Sequence, residues 1–335
     1  MSKKIRVGIN GFGRIGRVLF RVGFEELEIV AVNSLDKVDG AVHLLKYDST
    51  HGKFKAEVTH NEKDFFVNGK LVKYVSHKNP AEIPWKDLGV DVVLECTGAL
   101  KNREDYQKHI TAGAKKVFIS APADGVDLTL VYGVNHTDYN PAKHQFLSNA
   151  SCTTNCLAPL AKVLNEAFKI ENGTMTTIHS YTNDQRILDA THKDLRRARS
   201  AAVSMIPTTT GAAKAVGLVL PDLKGKIDGM SIRVPTPNVS VVDFTFLTQN
   251  TISVDSINEA LRKASQTSLK NVLYCEEQEL VSVDFNGNSH SSIVDMESTM
   301  VVSPKMGKVL SWYDNETGFS HRMVDFVKYM AEKGL

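Results

Sequence analysis

Apolar and polar positions follow two rhythms along this chain. In the first half, short apolar runs each lead into a stretch with helical spacing. IRVGIN reads as a strand, RVLFRVGFE as a helix and EIVAVNS as a second strand. AVHLLKYDSTHGKF predicts a helix followed by a polar loop. FFVNGKLVKYV gives two strand-like runs around Asn68–Gly69, the signature of a two-residue hairpin turn. VDVVLECTGAL predicts a buried parallel strand, REDYQKHITAGA a helix, KKVFISAPA a strand ending at Ser120, and TLVYGVN one more strand. The apolar run HQFL then breaks at a polar stretch, Ser148 to Asn155, and helical spacing resumes directly after it.

The second half is different. MTTIHSYTNDQ, GMSIRVPTPN, SVVDFTFL, SSIVDME and KVLSWYD are strand-like runs that predict a mostly antiparallel sheet. VDSINEALRKAS is an amphipathic helix and ETGFSHRMVDFVKYMAEKG a C-terminal one. A long loop runs from about Tyr181 to Ser204. The expected fold class is α/β: a Rossmann dinucleotide-binding domain over residues 1–150, completed by a C-terminal helix over 317–335. An α+β catalytic domain over 151–316 accompanies it.

Composition narrows the picture only modestly. The 335 residues suffice for two domains, and the net charge of +2 gives no global drive toward nucleic acid or membrane. No apolar run approaches the ~20 residues that span a bilayer. The N-terminal MSKKIRVGIN enters a strand pattern without the apolar region of a signal peptide. Cys96, Cys152, Cys156 and Cys275 form no C-x-x-C pair and no cluster with zinc spacing. The expectation is a reduced cytoplasmic enzyme without a metal site.

Chemistry enters at two places. GFGRIG supplies Gly11, Gly13 and Gly16 as G-x-G-x-x-G between a strand and a helix. Glycines there permit a tight turn and close approach to a pyrophosphate, which the helix N-terminus attracts. The bland alternative is a turn that merely packs a helix on a sheet. The strand end Thr97–Gly98 belongs at the same crevice. The acidic residue that an NAD-specific site places about 20 residues on is missing, since AVNSLDK offers Asn33 and Ser34. A serine does not repel a 2′-phosphate, and Lys37 or Lys78 can add positive charge. The alternative is that Asp36 or a backbone group serves the ribose.

The second place is NASCTTNCLAPLAKVL. Cys152 stands where the helix begins, so unpaired N–H groups and the helix field are expected to ease its ionisation. Ser151, Thr153 and Thr154 add hydroxyls and capping chemistry. A buried helix-start cysteine with capping neighbours is the competing reading. Cys96 and Cys156 read as structural thiols. His179 lies on a strand, and a cysteine nucleophile needs such a base. Arg196, Arg197 and Arg199 form a short basic cluster better suited to a small anion than to nucleic acid. Thr208 to Gly211 precede a helix and offer a second anion site, and Arg233 lies on a strand. Together these residues fit a dehydrogenase that oxidises an aldehyde through a thioester.

With INGFGRIGR, NASCTTNCLAP, YTNDQ, HKDLRRAR, PTTTGAAKA, RVPTPNVS and WYDNE in view, the chain resembles the glyceraldehyde-3-phosphate dehydrogenase family along nearly its whole length. The resemblance implies Cys152 as nucleophile and His179 as base. It implies Thr182 and Arg233 at the phosphate of glyceraldehyde 3-phosphate, and Ser151, Thr153, Arg197, Thr210 and Gly211 at inorganic phosphate. Arg14 and Ile15 are implied along the cofactor pyrophosphate, Lys78 and Ser120 near the dinucleotide, and Asn315 at the nicotinamide carboxamide. It also implies a homotetramer, with the Arg-rich loop at a subunit contact, and a C-terminal helix packed on the nucleotide domain.

Four features depart from the family pattern. Ser34 replaces the Asp usual in NAD-using members. Ala190 and Thr191 stand where NAD-specific relatives carry Leu-Pro, while NADP-using members tend to carry Ala and Ser. Thr317 and Phe319 stand where Trp and Tyr are common. The first two lean toward tolerance of NADP beside NAD. Two other functions compete with the main reading: erythrose-4-phosphate dehydrogenase, which releases the acid by hydrolysis, and a binding protein with lost catalysis. Nucleic acid and membrane are not expected as primary partners.

Overall fold

A computed structural model describes residues 5–335. The chain divides into two compact units. One comprises Met1–Leu130, His136–Ala150 and Ser320–Leu335, the other Val131–Asn135 and Ser151–Phe319. The division differs from the sequence expectation in two places. Val131–Asn135 falls in the second unit, and the first three residues of the C-terminal helix, Thr317–Lys333, stay with it too.

Nine strands form the sheet of the first unit among the described residues. The strand Arg6–Asn10 sits near its middle, paired in parallel with Glu28–Asn33 on one side and Val92–Glu95 on the other. Lys116–Ile119 and Phe146–Ser148 extend the parallel run. These strands read as unbroken apolar stretches because both faces are covered. Beyond Lys70–Val75 the sheet turns antiparallel through Phe65–Val67 and Val58–His60. The turn between the first two holds Asn68 at φ 48° and Gly69 at φ 76°, the paired positive angles of a hairpin turn. The C-terminal helix closes this unit's core, with Phe326 packed on Phe118 at 5.1 Å between ring centroids.

One predicted strand is mostly absent. Of the run around TLVYGVN only Leu128–Thr129 pairs, and a turn follows with Gly133 at φ 83°. The apolar residues Leu130 and Val131 are buried there without being in a strand. Burial demands apolar side chains whatever the backbone does, and here the turn overrides the strand signal.

The second unit is built on a seven-stranded mixed sheet among the described residues. Ile170–Ser180 lies antiparallel to Ser240–Thr248 and parallel to Ile227–Val234. Met306–Tyr313 and Ser292–Ser303 continue it antiparallel, and Leu273–Glu276, which the sequence pattern did not reveal, adds a parallel edge. Antiparallel pairs outnumber parallel ones. The helix Cys152–Phe168 packs on this sheet with Leu157, Leu160, Ala161 and Leu164 fully buried.

Candidate active site

In the second unit, Ser151 caps the helix that begins at Cys152. Its hydroxyl accepts from the Thr154 N–H at 3.0 Å. Ala150, immediately before the cap, takes a left-handed φ of 53°, a conformation a non-glycine residue adopts only when its surroundings enforce it. The cap aims the Cys152 thiol toward His179 near the end of Ile170–Ser180, with Sγ and Nε2 3.5 Å apart. Parallel pairing sets His179 opposite Arg233 on the neighbouring strand Ile227–Val234. One carbonyl organises both: the Ser180 oxygen lies 2.7 Å from His179 Nδ1 and accepts from Arg233 Nη1 at 3.0 Å. Two groups meet at Nδ1: the Ser180 carbonyl at 2.7 Å, which can only accept, and Arg233 Nη1 at 2.9 Å, which can only donate. In the tautomer that gives the shorter contact its proton, Nδ1–H donates to the carbonyl and the lone pair of Nε2 faces the thiol. Tyr313 packs edge-on against the imidazole at 5.9 Å.

Electrostatics here run against one expectation. Burial pushes the Cys152 thiol above its ordinary value, although the Arg233 charge and hydrogen bonds from Thr153 pull the other way. The helix start therefore does not win over desolvation. Burial, and after it the charge of Arg233, holds His179 down at about 3, so the resting pair is a neutral thiol beside a neutral imidazole. Cys156 is a different kind of thiol. It lies against the Ser311 carbonyl and the Ser292 hydroxyl, and burial pushes it up to about 12.

Donors surround the pair. Arg233 Nε is buried without a hydrogen-bond partner, as is Gln185 Nε2, whose Oε1 accepts from the Thr182 N–H at 3.3 Å. Arg197 reaches Thr208 Oγ1 at 3.0 Å and the Thr209 carbonyl at 3.3 Å, and pairs with Asp184. That pins the basic loop to Ile206–Thr209, directly ahead of Thr210 and Gly211. The Thr210 hydroxyl accepts from Ala212 N–H at 3.1 Å, and the space beside Gly211 is open. The Thr153 hydroxyl is buried on Tyr313 at 2.8 Å. Asn315 Oδ1 accepts from Ser180 and Ser240 at 2.9 and 3.1 Å, which orients its N–H₂ end.

The whole chain can now be set beside known proteins. A model of the glyceraldehyde 3-phosphate dehydrogenase NAD binding domain matches residues 5–103, and one of that enzyme's C-terminal domain matches residues 151–315. The chain is 57% identical over 333 residues to glyceraldehyde-3-phosphate dehydrogenase of Geobacillus stearothermophilus, covering 99% of each chain. It is 55% identical to glyceraldehyde-3-phosphate dehydrogenase 1 of Bacillus cereus over 98% of this chain and 99% of that one. For glyceraldehyde-3-phosphate dehydrogenase of Streptomyces coelicolor the identity is 54%, over 98% and 99%. The chain belongs to the glyceraldehyde-3-phosphate dehydrogenase family.

The family's NAD-binding unit has the glycine turn between Arg6–Asn10 and the helix Arg14–Gly23. A Cβ on Gly16 would lie 2.1 Å from the Gly11 carbonyl oxygen, and one on Gly11, at φ 93°, 2.7 Å from the Thr97 nitrogen. Gly13 faces open space at the helix start. With no room for a side chain at Gly11 or Gly16 and open space at Gly13, the turn offers bare backbone at a helix start, which fits a pyrophosphate. Arg14 extends to Asp48, and burial is outweighed by that pair and two backbone N–H groups, which hold the Asp48 carboxyl at about 2. Ile15 is half-buried beside it. Ser34 is buried, with its hydroxyl 3.4 Å from the Asp36 carboxylate. Thr97, Gly98 and Lys78 are exposed, and Ser120 hydrogen-bonds the Cys96 thiol. Ala190 and Thr191 are exposed in the basic loop, where the Thr191 carbonyl accepts from Arg186. No cluster of three metal-ligating side chains occurs among the described residues.

Several participants escaped sequence reasoning. Tyr313, Thr177, Ser180 and Gln185 shape the site, yet each is one residue in an ordinary strand or loop pattern. Only the alternation of KVLSWYD hinted that Tyr313 points inward.

Proposed function

We propose that this family member oxidises glyceraldehyde 3-phosphate to 1,3-bisphosphoglycerate, reversibly, with Cys152 as nucleophile and His179 as base. The observation that carries the assignment is the 3.5 Å approach of Sγ to Nε2; with the ring proton on Nδ1, the Nε2 lone pair turns to the thiol. The thiol gives its proton to Nε2 as sulfur bonds to the aldehyde carbon, and Nε2 passes that proton to the carbonyl oxygen, which leaves a hemithioacetal beside a neutral imidazole. The dinucleotide, when bound, supplies the hydride acceptor. His179 then takes the hydroxyl proton of the adduct as the hydride leaves; inorganic phosphate attacks the resulting Cys152 thioester, the C–S bond breaks, and the released sulfur recovers the proton from His179.

Arg233, with its unpartnered buried Nε, and Thr182 hold the substrate phosphate. Ser151, Thr153, Arg197, Thr210 and Gly211 hold the attacking phosphate. An anion on Arg233 also screens the charge that lowers His179, so substrate itself strengthens the base. Gly11, Gly13, Arg14, Ile15 and Gly16 take the pyrophosphate. Ser34, Lys78, Thr97, Gly98 and Ser120 line the rest of the dinucleotide path, and Asn315 serves the carboxamide.

Ser34, Ala190 and Thr191 make NADP acceptable beside NAD, because the strand ends at Asn33 and is followed by Ser34 rather than by a carboxylate, and the Asp36 carboxylate 3.4 Å from the Ser34 hydroxyl belongs to the loop that follows. The exposed apolar residues Ile187, Leu188, Leu195, Val203 and Met205 support a homotetramer built through the Arg-rich loop. Four free cysteines suit a reducing cytoplasm. Initial rates with glyceraldehyde 3-phosphate and each cofactor, with and without inorganic phosphate, test the reading. Turnover that depends on phosphate and proceeds with both NAD and NADP is expected. Turnover undiminished without phosphate refutes the acyl-transfer step, and an absence of rate with NADP refutes its tolerance.

A further inference from the structure

The nucleotide-binding unit contains a buried polar chain that the reaction does not use. It begins at Trp85, which is fully buried, and its indole N–H donates to His109 Nδ1 at 2.9 Å. An indole nitrogen can only donate, so Nδ1 must accept and the ring proton sits on Nε2. From there it donates to Glu95 Oε2 at 3.0 Å. Asn10 Nδ2 donates to the same oxygen at 2.6 Å, and Asn33 Nδ2 donates to Asn10 Oδ1 at 2.7 Å. Asn33 in turn exchanges two bonds with the His77 backbone, at 3.0 and 2.9 Å. The other carboxylate oxygen, Oε1, accepts from the Thr97 N–H at 2.8 Å and from the Thr97 hydroxyl. The donors therefore converge on one carboxylate.

That carboxylate is placed where it can matter. Asn10, Asn33 and Glu95 are the last residues of three adjacent parallel strands, the end of a sheet where an α/β fold takes its ligand. Thr97 abuts the glycine turn closely enough that Gly11 has no room for a Cβ. The Thr97 hydroxyl donates inward to Glu95 and accepts from Ala99 N–H at 3.0 Å. Any shift of Thr97 moves the wall of the turn.

We infer that Glu95 is a positioning residue for the dinucleotide site, and that the Trp85–His109 pair fixes the donors that Glu95 must satisfy. The carboxylate holds Thr97 and the glycine turn in the binding conformation before the cofactor arrives. Replacing one carboxylate oxygen by an N–H₂ group puts donor against donor, whichever way the amide turns. His109 cannot answer by moving its proton to Nδ1, because the Trp85 N–H occupies that position. The loop then relaxes, and binding must restore it. The inference rests on the dinucleotide role of this unit.

Cofactor titration calorimetry and steady-state rates on the whole enzyme test it. Glu95→Gln is expected to raise the Kd and KM for NAD about tenfold or more, because buried donors lose their acceptor. Its KM for glyceraldehyde 3-phosphate and its kcat at saturating NAD stay within about twofold, since the variant acts through cofactor binding alone. Adding Trp85→Phe frees Nδ1 to carry the proton, so Nε2 can accept from the new amide. The double variant is expected to bind NAD more tightly than Glu95→Gln alone. If Glu95→Gln does not fold, Glu95→Asp, which keeps the charge but withdraws it from Thr97, is read by the same NAD titration. An unchanged Kd for NAD in a folded variant, an equal rise in both KM values, or no recovery in the double variant overturns the inference. A wild-type enzyme that bound no NAD would instead overturn the dinucleotide reading beneath it.

Discussion

The two units build their sites by different means. The nucleotide turn is made of backbone: six consecutive residues, Gly11 to Gly16, carry most of its geometry, and its chemistry is N–H groups and the absence of side chains. The thiol site is made of side chains gathered from a helix start at Cys152, two strands carrying His179 and Arg233, and the segment Tyr313–Asn315. A backbone site tolerates almost nothing at its glycines and much around them. A side-chain site divides its function unequally among contributors that single substitutions can separate.

The largest effect falls where the bond is made. Cys152→Ser keeps the cap and packing but puts a poor nucleophile beside Nε2, and turnover is expected to fall by about 10⁴-fold or more. A binding protein with lost catalysis would be indifferent to the change, and a residual rate above a hundredth of wild type would remove Cys152 from its role. His179→Asn is next. It removes the base but spares the thiol, and kcat is expected to drop about 10²–10⁴-fold. A loss equal to that of Cys152→Ser would mean that the two residues act as one unit.

The resting protonation state gives a different kind of test. Because burial lifts Cys152, alkylation by iodoacetamide in cofactor-free enzyme is expected to keep rising with pH beyond 8, about tenfold per unit while the thiol predominates. His179, held at about 3, contributes no inflection near 6.5. Cys96 and Cys156, both at about 12, stay unlabelled over the same range. A plateau reached below pH 7 would show a thiolate–imidazolium pair at rest. The sign for stability follows too. His179 is depressed on folding, so its neutral form favours the folded state above pH 6.5, and that contribution is lost progressively as pH falls toward 3.

This contrast also explains what was legible in the sequence. A backbone site needs glycines at fixed spacing between a strand and a helix, so Gly11, Gly13 and Gly16 announced it. Cys152 was legible for a similar reason, as a polar interruption before a helix. The direction of its ionisation was not legible. It depends on how deeply the helix start is buried, and depth is set by residues far away in the chain. The strand expected around TLVYGVN failed on the same ground, since apolar burial near Gly133 does not require a strand. Gly16→Ala probes the legible half. Its Cβ meets the Gly11 carbonyl, so the variant is expected to lose about 1–3 kcal/mol of stability and to weaken NAD binding, read by thermal melting and titration. Unaltered binding would mean that the turn opens at no cost.

The smallest expected effect is the most informative about the side-chain half. The Tyr313 hydroxyl lies 2.8 Å from Thr153 and 2.8 Å from Thr177, all three buried. Thr153 also hydrogen-bonds the Cys152 sulfur. If the Thr153 proton points to sulfur, its oxygen accepts from Tyr313, and Tyr313 accepts from Thr177, so one directed chain of hydroxyls ends at the thiol. Tyr313→Phe keeps the ring against His179 and cuts the chain at its middle. Two buried hydroxyls then lose a partner, at a cost of about 1–3 kcal/mol of stability. Thiol reactivity is expected to fall only a few-fold, because burial, the Arg233 charge and the Thr153 backbone N–H are untouched. A loss of rate without a loss of stability would place the proton of Thr153 under the control of Tyr313. A loss of stability alone would make Tyr313 a packing residue that happens to lie beside the chemistry.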